Sequence, residues 1–89
     1  MNNCYFSCFF EDSEWRLRAV VHENQYLLLY EVEPEDRRLY GRFGIKFILQ
    51  NRHAYLDVRC SHPVEQDFAY EQSLVAGLRK YLLTQWMLP

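Results

Sequence analysis

The sequence predicts an α+β fold in which a five-stranded antiparallel meander sheet carries one long C-terminal helix packed on one face. Apolar and polar residues alternate over 15–21, with the period of two that is typical of a half-buried strand. Short polar breaks separate the strand-like segments, which favours antiparallel neighbours. The segment from Pro63 to Met87 has the apolar spacing of an amphipathic helix.

The first three strands are predicted at about 3–10, 15–21 and 26–32. The first is apolar and aromatic, and it ends at the acidic turn 11–14. The polar segment 22–25 predicts a hairpin. The third strand is apolar at both its odd and its even positions, so we expect it to be covered on both faces.

The charged segment 33–38 is predicted to be a loop, because Pro34 removes a donor from the strand ladder. Strands at about 42–50 and 54–60 complete the sheet, joined by a turn at residues 51–52. The side chains expected beneath the helix are Phe6, Leu17, Phe43, Ile45, Phe47, Leu56 and Val58.

The helix is predicted at about 63–87, with Pro63 at its first position. The residues expected on its buried arc are Val64, Phe68, Val75, Leu78, Leu82 and Trp86. Glu71 falls inside this arc, either as an edge carboxylate that reaches solvent or an arginine of the sheet, or as a desolvated acid with a raised pKa. The strip of Ala69, Ser73 and Gly77 is either plain surface or a helix–helix contact.

Length and composition predict one domain without extensive disorder, since the chain has 89 residues, of which 49% are hydrophobic and 17% aromatic. The formal charge of −2 provides no general attraction to nucleic acid or membranes. Three cysteines, an odd number, argue against a disulfide scaffold and suit a reducing compartment. We see no signal peptide and no apolar run of about 20 residues, and therefore expect a cytoplasmic protein.

The sheet face away from the helix is expected to interleave aromatic and basic residues, and this composition supports two functional hypotheses. A partner-binding or dimer surface would use Tyr26, Leu28, Tyr30, Ile48, Tyr55 and Trp86. A single-stranded nucleic-acid surface would use Arg16, Arg18, Lys46, Tyr55 and Arg59. An ordinary solvated face with cross-strand charge pairs is the third interpretation.

The order of strands closed by one helix is similar to that of the Whirly-like single-strand DNA binders, which dimerise. The resemblance is one of element order alone, and the fifth predicted strand departs from their four-stranded pattern. It implies a dimer and a nucleic-acid surface as expectations.

The sequence contains few motifs that indicate metal binding or catalysis. Cys4, Cys8, Cys60 and His62 have zinc-ligand side chains, but Cys4 and Cys8 would lie about 13 Å apart on an extended strand. The sequence has no GxSxG, HExxH or glycine-rich phosphate loop. We therefore predict a non-catalytic protein–protein interaction module (an adaptor, inhibitor or regulatory subunit), homodimeric and without metal or cofactor, with single-stranded nucleic-acid binding as the alternative.

Overall fold

The computed structural model describes residues 2–87, and of residues 86 and 87 only the backbone. Its five antiparallel strands form one sheet in chain order, and a long C-terminal helix packs on one face, which confirms the predicted fold class. The strands are β1 (Asn2–Phe10), β2 (Ser13–Glu23), β3 (Leu27–Pro34), β4 (Lys46–Asn51) and β5 (Val58–Cys60). The helices are α1 (Arg37–Phe43) and α2 (Phe68–Met87), and one 3-10 turn spans Glu65–Asp67.

The β1–β2 hairpin is closed by the two-residue turn Glu11–Asp12, and both residues have positive φ, at 52° and 61°. This is the left-handed backbone of the type I′ turns that match the twist of antiparallel strands. Phe10 and Ser13 form the closing pair. The Trp15 indole donates to the Phe10 carbonyl at 2.9 Å, which fastens the aromatic ring over the turn.

The segment predicted as a loop and the start of a strand contains the helix α1 instead. Asp36 caps this helix by accepting a hydrogen bond from the backbone N–H of Arg38 at 2.8 Å. Leu39 is buried in the core, and the Phe43 ring stacks on Tyr70 of α2 with centroids 4.0 Å apart. Gly44 ends the helix with a φ of 64°, a conformation that glycine adopts without strain. Tertiary burial therefore stabilises a helix too short to be stable alone.

The core lies between the sheet and α2. Its most enclosed side chains come from the three central strands and the two helices: Leu17, Ala19, Val32, Leu39, Ile48, Tyr70, Leu74 and Leu78. Burial of large aliphatic and aromatic side chains contributes roughly 1.5–3 kcal/mol each, which makes this layer the main source of stability.

The first turns of the predicted C-terminal helix differ from the prediction. The segment 65–67 is a 3-10 turn, α2 begins at Phe68, and Phe68 is 60% exposed. Both carboxylate oxygens of Glu71 accept from the backbone N–H of Val64, at 3.2 and 3.0 Å. The face that packs on the sheet consists of Tyr70, Glu71, Leu74, Val75, Leu78 and Leu82. Val64 and Phe68 were wrongly predicted to be buried, since both precede Tyr70, the first residue of α2 that packs on the sheet.

The parity of β4 is the reverse of the predicted one. Lys46, Ile48 and Gln50 face α2 and are buried, whereas Ile45 and Phe47, predicted beneath the helix, are exposed. The register explains this, because Tyr30 lies opposite Ile48 and cross-strand partners share a face. Leu56, also predicted beneath the helix, is 41% exposed and precedes the short strand β5.

Candidate interaction surface on the open face of the sheet

The sheet face that α2 leaves uncovered is called the open face. Alternation along each strand, combined with the cross-strand register, identifies its side chains. They are Asn3, Tyr5, Ser7, Phe9, Glu14, Arg16, Arg18, Val20, His22, Leu27, Leu29, Glu31, Glu33, Phe47, Leu49, Asn51 and Arg59. Three arginines and three glutamates in this set balance in formal charge.

Five apolar side chains lie together on the strands β2, β3 and β4 of this face and are called the apolar patch: Val20, Leu27, Leu29, Phe47 and Leu49. Leu29 lies directly opposite Leu49 and diagonally opposite both Val20 and Phe47, so the patch is continuous through Leu29. Glu31 lies between Val20 and Phe47. Phe47 is 40% exposed and the other four are partly exposed. The patch therefore presents branched and aromatic carbon to solvent at the centre of the sheet.

Ion pairs border the apolar patch. The Arg18 guanidinium contacts the Glu33 carboxylate, which lies directly across the strand pair. Arg16 Nε is 3.5 Å from Glu35 Oε2. Such exposed pairs stabilise a fold by at most about 1 kcal/mol, but they neutralise the charge of the face locally.

His22 and Glu31 form a further contact at the edge of the patch. His22 Nε2 lies 3.3 Å from Glu31 Oε1, and both side chains are more than a third exposed. His22 stands opposite Leu29, so the imidazole lies beside the apolar patch. The open face thus combines the apolar patch with ion pairs beside it, and the Glu31 carboxylate of one pair lies between Val20 and Phe47.

The six residues predicted for partner binding do not share one surface. Tyr30 and Ile48 are buried beneath α2, and Leu28 packs against the core on that side. Tyr26 is 64% exposed and lies in the turn before β3. The Tyr55 hydroxyl donates to the Leu82 carbonyl of α2 at 2.9 Å, and the Trp86 side chain lies outside the described part of the chain. The expected placement of Tyr30 and Ile48 on the open face is wrong, because the register turns this parity toward the helix.

The predicted nucleic-acid set is divided between the two faces. Arg16, Arg18 and Arg59 lie on the open face, and the first two have glutamate partners. Lys46 was wrongly placed there, because it is buried on the helix side. Its Nζ donates to Asp67 Oδ2 at 2.7 Å and to Glu71 Oε2 at 2.8 Å. Lys46 is therefore held by acids of its own chain and is not presented to a phosphate.

The cluster of Lys46, Asp67 and Glu71 attaches the start of α2 to the first residue of β4. Glu71 is 1% exposed, and its carboxylate is shared between the ammonium group and the Val64 N–H. Burial lowers the pKa of Lys46, but hydrogen bonds to Asp67 and Glu71 outweigh this effect and raise it. Such a satisfied buried pair orients the helix, and removing one partner costs about 3–5 kcal/mol. We assign it a structural role.

Reactive groups are not gathered in this fold. Among the described residues, no group of three or more histidine, cysteine and acidic side chains could hold a metal ion. Burial raises the pKa of the Cys4, Cys8 and Cys60 thiols, so each is protonated near neutral pH. No helix within residues 2–87 has the length and apolar character to span a membrane.

The residues that sequence reasoning missed on the open face are Leu27, Leu29, Phe47 and Leu49. The signal for Leu27 and Leu29 was the apolar character of 26–32 at both odd and even positions, which predicted cover on two faces. No protein-family model matches the sequence, and no curated protein or solved structure matches it either. The function is therefore argued from the geometry of this chain.

Proposed function

We propose that this chain is a small cytoplasmic protein–protein interaction module, such as an adaptor, inhibitor or regulatory subunit, that works by binding as a homodimer and not by catalysis. The open face is its contact surface for a partner protein. The observation that carries this proposal is the apolar patch, whose five side chains are at least partly exposed and lie beside three ion pairs. Protein interfaces have this arrangement of apolar core and polar rim.

The dimensions of the face support the same proposal. The protein measures 33 × 28 × 22 Å along its principal axes. An ellipse on the two longer axes has an area of roughly 700 Å², close to the approximately 800 Å² that each partner contributes to a standard interface. A partner that covers the whole sheet would bury the apolar patch at its centre.

Single-stranded nucleic-acid binding receives less support from the same face. Two of its arginines are paired with glutamates, and Lys46 is buried with two acids. A strand that binds through phosphate contacts needs uncompensated cations. The balanced charge of the face instead suits a partner that buries carbon and matches polar groups at the rim.

The proposal is tested by affinity capture with the immobilised wild-type protein and two glutamate variants. Phe47→Glu places a charge in the apolar patch, whereas Phe68→Glu changes an aromatic of even greater exposure at the start of α2. Partner proteins retained by the wild type and Phe68→Glu should be lost with Phe47→Glu. Circular dichroism and thermal unfolding establish that both variants are folded.

Equal capture by all three proteins would contradict the use of the open face. Titration with a mixed oligonucleotide at low salt tests the nucleic-acid alternative separately. Binding that weakens steeply with salt, and that charge removal at Arg16 and Arg18 abolishes, would replace the proposed function by that alternative.

A further inference from the structure

The strand β1 is an unusual sheet edge. Its nine residues contain no charge and no proline, the devices that proteins use to keep edge strands from pairing. The opposite edge, β5, has only three residues. Because Phe10 and Ser13 close a two-residue hairpin, the backbone groups of residues 3, 5, 7 and 9 point away from β2. An uncharged, aromatic edge is thereby turned outward.

Helix α2 covers this edge at its middle. A Cβ atom on Gly77 would lie 2.3 Å from the carbonyl oxygen of Ser7, so only glycine allows the helix backbone this close to β1. The line along which α2 meets the outer edge of β1 is called the seam. The outward backbone groups of Tyr5 and Phe9, on either side of Ser7, make no hydrogen bond within the described part of the chain.

A groove of about 440 Å³ runs along the seam. It is lined from the helix by Ala76, Gly77, Lys80 and Thr84, and from the strand by Ser7 and Phe9. Phe9 is 68% exposed, the highest value among the large apolar side chains of the described residues. One surface therefore carries both a projecting aromatic ring and a cavity that could receive such a ring.

Two opposite charges line the same groove. Lys80 belongs to α2, and Glu14 lies across from Phe9 on β2. Neither has an ion-pair partner among the side chains that the structure describes, in contrast to Arg16, Arg18 and Lys46. The seam is thus the place in this fold where an unpaired cation and an unpaired anion share one apolar groove.

We propose that the seam is a homodimer interface, in which a second copy of the chain packs about a two-fold axis. Phe9 of each copy enters the groove of the other, and Lys80 of each copy pairs with Glu14 of the other. A two-fold contact makes each such pair occur twice, which requires a ring and cavity, and a cation and anion, on the same patch. The seam supplies both sets.

This inference rests on the homodimeric part of the proposed function and adds the location of the dimer contact. The seam lies at the β1 edge of the sheet, whereas the apolar patch lies on β2, β3 and β4, so a dimer formed at the seam leaves the apolar patch of both copies uncovered. A partner protein could then contact two apolar patches at once, which raises its apparent affinity.

The test is a charge exchange read by light scattering on a sizing column, in the presence of a thiol reductant. Wild-type protein should be a dimer. Glu14→Lys and Lys80→Glu each place two like-charge contacts in the interface, and each should weaken dimerisation by about 30-fold or more. An equimolar mixture of the two variants restores both opposite-charge pairs, so it should form a heterodimer as tight as the wild-type dimer.

Phe9→Glu should also yield monomers, and Phe47→Glu, which changes only the open face, should remain a dimer. A wild-type dimer that neither charge reversal weakens would overturn the inference. Loss of the dimer in Phe47→Glu alone would do the same, and would assign self-association to the open face. A wild-type monomer at about 100 μM also overturns the seam dimer. The partner-binding part of the proposed function is tested separately, by affinity capture with Phe47→Glu.

Discussion

Replacement of Gly77 by alanine is expected to destabilise the protein, although alanine is the better helix former. The added Cβ would lie 2.3 Å from the Ser7 carbonyl oxygen and 3.2 Å from its carbonyl carbon, whereas ordinary contacts begin at 3.4 Å. Both atoms belong to the backbone of Ser7 in β1, so neither can move aside as a flexible side chain does. The helix must therefore rise from the sheet by about 1 Å.

The size of the effect follows from two opposing contributions. Overpacking of this kind costs about 1–3 kcal/mol, and the rigid contact favours the upper end of that range. The higher helix propensity of alanine raises the free energy of unfolding by about 1 kcal/mol. We expect a net loss of about 2 kcal/mol in the free energy of unfolding, which for a domain of this size lowers Tm by about 10 °C.

Gly41→Ala is the matched control for this measurement. Gly41 lies in α1, and no atom lies within 4 Å of the position that its Cβ would occupy. The same substitution there should stabilise the protein by about 0.5–1 kcal/mol. Chemical denaturation of both variants measures the difference. If Gly77→Ala stabilises the protein as Gly41→Ala does, the close approach of α2 to β1 is not the constraint described here.

Two further predictions concern single polar groups. The Tyr70 hydroxyl is buried without a partner among the described residues, so Tyr70→Phe should raise the free energy of unfolding by about 1 kcal/mol. Tyr30→Phe should instead lower it by about 1–2 kcal/mol, because Gln50 loses a hydrogen-bond donor. Equal effects of the two variants in chemical denaturation would refute this. Hydrogen bonds from the Arg38 side chain and backbone lower the pKa of Asp36 to about 2. The cap should therefore stabilise α1 fully above pH 4 and lose its effect as the pH falls through 2. An NMR titration that finds the pKa of Asp36 near 4, or finds the same pKa of Asp36 in Arg38→Gln, would contradict this.

The confirmed parts of the fold are those with local signals. Alternation over 15–21 predicted β2, the polar breaks predicted antiparallel neighbours, and the apolar spacing after residue 63 predicted the long helix. Each of these signals arises within one element or between consecutive ones, so it can be recognised in the sequence without knowledge of the tertiary contacts. The acidic turn after β1 was likewise predicted from a local polar break, at residues 11–14.

The helix α1 could not be predicted in the same way. Its seven residues include Gly41 and three arginines, and its apolar face consists of Leu39 and Phe43 alone, which is too short a pattern to indicate a helix. Leu39 enters the core, and Phe43 packs between Phe10 and Tyr70, which lie in the first and last elements of the chain. The helix therefore depends on contacts with residues that are distant in sequence.

The sequence by itself determined the class of fold, the order of the strands and the presence of a second apolar face. Only the tertiary structure decided which residues form that face. Hydrophobic alternation assigns Lys46 and Gln50 to solvent, but Glu71 and Tyr30 supply hydrogen bonds that make their burial favourable. These partners are 25 and 20 residues away, and they turn Phe47 and Leu49 outward. A pattern along one strand contains no information about such partners, so the parity of β4, and with it the candidate interaction surface, follows from the packed structure.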